Sequence, residues 1–155
     1  MAFRLSGIDP APFAPLFALD DAGLAARGMR RIVADSDSGY PCRVSLEDAR
    51  AGQELILLPW QHLPGNTPYR ASGPIFVRRD ARRRTLAPGE VPPYVLKRLM
   101  SLRAYDAAWM MVDAAVCEGD EVASGLERMF TDPAVAAIHF HNARRGCYSC
   151  VARRV

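Results

Sequence analysis

The sequence predicts an α+β fold: a single domain over residues 1–155 with a mainly antiparallel sheet and two or three helices on one face. Three observations lead there. Apolar segments of strand length follow one another with few helical stretches between them, which favours antiparallel connections over βαβ crossovers. Half of the 155 residues are hydrophobic and 24% are charged, which excludes a disordered or collagen-like chain and a disulfide-dense miniprotein. No internal repeat, heptad array or low-complexity tract interrupts the pattern.

Phe3, Leu5 and Ile8 alternate inward as an opening strand, which the Asp9-Pro10 step ends. Phe13, Leu16 and Phe17 share a face of a short helix, and Asp20 caps a second one that Gly28 closes. Residues 29–34 read as a strand and 35–39 as a polar loop. Pro41 leads into Cys42-Arg43-Val44, and Ser45 with Asp48 predicts a capping box on one helical turn ended by Gly52. The continuous apolar run 54–60 suits a central strand buried on both faces. An irregular stretch, 61–73, follows and carries His62, Tyr69, Arg70 and Ser72; loops of that length are commonly functional.

Residues 74–79 predict a strand, and 80–93 a basic connection punctuated by proline. Residues 97–104 and 109–117 predict two strands about a turn at Asp106. After Asp120, Val122, Leu126, Met129 and Phe130 fall on one helix face that Pro133 stops. Residues 135–141 and 148–154 close the chain as a hairpin around 142–146.

The formal charge of +3 conceals segregation. Residues 70–103 hold nine basic and two acidic groups, and residues 104–132 hold one basic and seven acidic. Arg4 stands where a signal peptide needs an apolar run, and no apolar stretch approaches the roughly 20 residues of a membrane span. The expectation is a soluble cytoplasmic protein with no membrane partner, its four cysteines reduced.

Five features could carry chemistry. Cys42, between the Gly39-Tyr40-Pro41 turn and Arg43, is a candidate nucleophile or a small buried hydrophobe. His139 and His141, two apart in a strand, project from one face; they suit a base and its neighbour, or two metal ligands with Cys42, Asp113 or Cys147 as a third. Residues 68–74 bring Tyr69, Arg70 and Ser72 beside Gly73, a loop able to hold a carboxylate or phosphate or to lock itself onto the protein. Cys147 and Cys150 form a CxxC pair, but in a strand two residues three apart point to opposite faces. The basic run 78–84 has no interleaved aromatic ring, which suits a solvated face better than a nucleic-acid surface.

Three segments, Tyr40 to Ala49, Pro68 to Arg78 and His139 to Cys147, resemble the bacterial "domain of unknown function 1203" family nearly end to end. The resemblance implies a bacterial protein and carries no catalytic role to any residue. Its segments hold Cys42, Arg43, Arg70, His139, His141 and Cys147, while Cys150 lies outside its pattern. The leading expectation is a pocket for a small anionic ligand: Arg43, Tyr69, Arg70, Ser72 and Asn142 bind, Cys42 attacks, and His139 or His141 serves as base. The alternatives are a noncatalytic module binding nucleic acid or an acidic protein through its arginines, and a metal-binding protein. The sequence specifies no cofactor, ligand identity or oligomeric state.

Overall fold

The computed structural model describes residues 2–155. In chain order the strands are β1 (Phe3–Ser6), β2 (Arg30–Val33), β3 (Pro41–Cys42), β4 (Glu47–Asp48), β5 (Glu54–Leu63), β6 (Ala71–Arg78), β7 (Leu99–Tyr105), β8 (Met111–Glu118), β9 (Ala137–Asn142) and β10 (Tyr148–Arg154). Three short helices, α1 (Asp21–Ala25), α2 (Pro93–Leu96) and α3 (Val122–Met129), complete an α+β fold with 3₁₀ turns at Ala14–Ala18 and Gly119–Glu121. The strands divide between two five-stranded sheets. The first runs β1-β10-β9-β7-β8 and is antiparallel throughout. The second runs β2-β5-β6-β3-β4, with β3 parallel to β6. No helix of the described residues is long and apolar enough to cross a membrane.

β9 occupies the middle of the first sheet and is buried at all six positions. Its period-two alternation divides the side chains between two environments. Ile138 and Phe140 join the core beneath α3, whose buried stripe is Val122, Leu126 and Met129. His139 and His141 take the opposite face, against β5 of the second sheet, whose His62 ring meets both. A second core gathers Ile56, Leu58, Ile75 and Val77 with Phe13 and Leu24. Tyr148 of the first sheet inserts into this second core, its ring 5.4 Å from that of Trp60, and so joins the two sheets.

Several local predictions hold because their signals are local. Asp20 caps α1 through a bond from the Gly23 amide (2.7 Å), and Gly28 leaves it at φ +70°. Two others are corrected. Ser45 and Asp48 cap no helix: the chain makes a tight turn with Leu46 at φ 55° and returns as β4, pairing Cys42 with Glu47. Nor is 61–73 wholly irregular: β5 runs on to Leu63 and β6 begins at Ala71, pairing Gln61 with Ser72. A register shift between Gln61 and Leu63 lets the strand continue past its polar interruption, and His62 sits at that bulge.

Candidate functional site

Arg43 follows β3 in the turn before β4 and is only 1% exposed. A buried guanidinium must find acceptors for its donors, or its desolvation cost is prohibitive. Here Nε donates to the Tyr148 carbonyl (2.8 Å), Nη1 to the Pro41 carbonyl, and Nη2 to Sγ of Cys147 (3.2 Å). Among the described residues no carboxylate forms an ion pair with it. The same sulfur accepts from Nδ2 of Asn142 (3.3 Å), so two donors converge on it.

The β9–β10 turn places this sulfur. The Asn142 amide donates to the Cys147 carbonyl (2.9 Å) and the Gly146 amide to the Asn142 carbonyl (2.7 Å). Gly146 reverses the chain at φ +79°, a conformation that suits glycine. The closed turn leaves Arg144 and Arg145 exposed beside a half-buried Cys147.

A cleft of about 670 Å³ opens here, lined among others by Tyr40, Lys97, Asn142, Arg144, Arg145 and Cys147. The side chains of Lys97, Arg144 and Arg145 make no hydrogen bond or ion pair among the described residues. Arg98, also on the wall, is held by Asp48 (2.9 Å). The cleft's carboxylates are engaged: Asp35 accepts from the Tyr40 hydroxyl (2.8 Å), and Glu118 caps the turn that begins at Gly119. Oδ1 of Asn142, in a residue 8% exposed, has no partner.

Behind the turn lies a histidine cluster. The His62 ring stands 4.9 Å from that of His141 and 6.3 Å from that of His139, and stacks on Tyr148 at 5.5 Å and 13°. Burial pushes His139 down to about 3 and His141 down to about 4, and lowers His62 as well; Arg103 adds to all three by repulsion. Nδ1 of His141 lies 2.9 Å from the Gly146 carbonyl, so the neutral ring donates there and leaves Nε2 with its lone pair and no partner. No three His, Cys, Asp or Glu side chains among the described residues are placed to hold a metal ion.

A family model described as "Protein of unknown function (DUF1203)" matches residues 39–154. The chain belongs to the DUF1203 family. The matched span includes every residue of the cleft wall and histidine cluster named above except Asp35. Neither a curated protein nor a solved structure matches this DUF1203 chain.

Of the residues singled out from sequence, the fold brings Arg43 and Asn142 together at Cys147, with His141 one hydrogen bond away through Gly146. Cys42 lies elsewhere, 0% exposed in the second core, its sulfur accepting from the Arg78 amide (3.3 Å). Nothing can reach that sulfur without opening the core. Tyr69, Arg70 and Ser72 do not line the cleft. Tyr69 leans on Tyr105 (6.1 Å), Thr67 bonds the Trp109 carbonyl, and Arg70 and Ser72 face solvent. The basic run of this DUF1203 protein folds back on itself. Arg79 pairs with Glu54 (2.7 Å), Arg84 with Glu47 (2.9 Å) and Glu90 (3.2 Å), and Arg83 bonds the Gly7 carbonyl. His62, Lys97, Arg144, Arg145 and Cys147 escape sequence reasoning as residues of this site. His62 hides in a stretch that reads as loop, Lys97 in a predicted strand and Arg144 and Arg145 in the hairpin turn, while Cys147 reads only as half of a CxxC pair or as a third metal ligand.

Proposed function

We propose that the cleft beside Cys147 binds a small organic anion. The observation that carries this reading is the trio Lys97, Arg144 and Arg145, cations without partners around a cleft whose own carboxylates are already engaged. Guanidinium forks suit carboxylates, which they can hold through two parallel bonds. About 670 Å³ is ample for a ligand of metabolite size. Arg43 and Asn142 form the floor by fixing Cys147, and His139 and His141 back the turn as neutral rings. The ion pairs of Arg79 and Arg84 speak against nucleic acid as the partner, since those two arginines are held within the chain. Four free thiols favour a reducing, cytoplasmic setting.

Titration calorimetry with citrate at low ionic strength tests the reading. Binding should weaken by about tenfold or more in the Arg144→Ala/Arg145→Ala variant and fall as salt screens the cations. Arg82→Ala, an exposed position outside the cleft, should leave it unchanged. Equal citrate affinity in the cleft variant, or no binding to the native chain, would remove the proposal.

A further inference from the structure

We propose that the ligand of this cleft is an anion carrying a planar heterocyclic ring, of the class of a nucleoside monophosphate. The inference rests on the anion-binding reading and adds the chemistry of the rest of the ligand. The cleft draws its walls from both sheets, and the two contributions differ in character. Lys97, which leads into β7, and Arg144 and Arg145, in the β9–β10 turn, belong to the first sheet and bring positive charge. Tyr40, which leads into β3, and Phe76 of β6 belong to the second sheet and bring two aromatic rings. Both rings pack on the small core of Ala34, Ala49 and Leu55, yet both stay partly exposed and line the cleft. A ligand that answered only the cations would leave that aromatic surface in water.

The aromatic wall is ordered without a ligand. The Tyr40 ring meets that of Phe76 edge-on, with centroids 5.6 Å apart and planes at 66°, and its hydroxyl donates to Oδ1 of Asp35 (2.8 Å). Phe76 is fixed by its strand: it pairs with Leu57 on one side and Cys42 on the other, and its carbonyl accepts from the Arg43 amide (3.0 Å). A planar ring can settle on such a surface with little loss of side-chain freedom.

Polar atoms on the same wall favour a heterocycle over a hydrocarbon tail. Oδ2 of Asp35 and the Ser38 hydroxyl belong to residues that line the cleft, and neither atom makes a hydrogen bond among the described residues. An aliphatic chain laid there would strip both of water and return nothing, whereas the edge of a nucleobase offers N–H donors to a carboxylate and ring nitrogens to a hydroxyl. At the other wall, guanidinium groups suit a phosphate as well as a carboxylate. A cleft of about 670 Å³ has room for ring, sugar and phosphate together.

Titration calorimetry of the full-length protein with AMP and with ribose 5-phosphate separates the ring from the rest, since the two share sugar and phosphate. AMP should bind about tenfold or more tighter, the advantage that stacking on an aromatic side chain confers. Tyr40→Leu should reduce that advantage to less than about threefold, and Tyr40→Phe, which keeps the ring, should preserve it. Arg144→Ala/Arg145→Ala should weaken both ligands by about tenfold or more, because the phosphate is common to them. Equal affinities of the native chain for AMP and ribose 5-phosphate, or an AMP advantage that survives Tyr40→Leu, would overturn the inference. If citrate binds the native chain and AMP gains nothing over ribose 5-phosphate, the ring assignment fails and the anion site stands; if neither citrate nor AMP binds, both fail.

Discussion

Lowering the pH from 7 to 5 should cost this protein about 4 kcal/mol of stability through His139 and His141 alone. A histidine in an unfolded chain titrates near 6.5, whereas burial holds these two at about 3 and about 4. The folded state therefore binds fewer protons, so their contribution is complete above about 6.5 and is lost as the pH falls. At pH 5 the unfolded chain has taken up nearly one proton at each ring and the folded protein nearly none, which is worth about 2 kcal/mol per histidine. His62, lowered by the same burial, adds in the same direction. A domain of this size is stable by roughly 8–23 kcal/mol, so the loss is a substantial fraction. Urea unfolding at pH 7 and pH 5 measures it directly, and His139→Gln should remove about half of the difference. Equal stability at the two pH values, or a loss that survives replacement of both histidines, would refute the assignment of buried neutral rings.

Three further outcomes follow from the packing. Gly119→Ala should destabilise by about 2 kcal/mol or more in urea, because its Cβ would stand 2.1 Å from the Val95 carbonyl oxygen, a backbone atom that cannot step aside. Arg43→Met should cost about 3 kcal/mol by the same assay, since the buried carbonyls of Pro41 and Tyr148 lose their donor. Phe140→Ala should cost about 3–5 kcal/mol, whereas Val112→Ala, at an exposed position of β8, should change stability by less than about 0.5 kcal/mol.

How far the sequence discloses this molecule depends on the range of each signal. Period-two spacing is local, so the common face of His139 and His141 could be read in advance. The separation of Cys147 from Cys150 has another cause: Cys147 lies in the turn before β10, and a register shift falls between Tyr148 and Cys150. The bulge at His62 could not be read in advance: Gln61-His62 looks like the end of an apolar strand, and only pairing with β6 shows that it continues to Leu63. With the strand cut short, Arg70 and Ser72 read as part of a long binding loop, although Ser72 lies on β6. The division into two sheets was equally hidden, because alternation shows that a strand has a buried face but not which strands lie beside it. Arg43 and Asn142 can be picked out from the sequence as candidates. Their meeting at Cys147 cannot, since Arg43 reaches that sulfur across 104 positions of sequence. Cys42 and Arg43 are neighbours with opposite fates: the parallel pairing of Cys42 with Phe76 keeps its thiol in the core, while the next side chain reaches the sulfur of the cleft.

The central claim is that anion recognition belongs to the β9–β10 turn. Titrating ¹⁵N-labelled protein with citrate and following backbone amide shifts by NMR tests it most directly. The account predicts that the largest changes fall at residues 142–147 and at Lys97 and Arg98. Changes centred on 69–73 instead, or none at all, would contradict it.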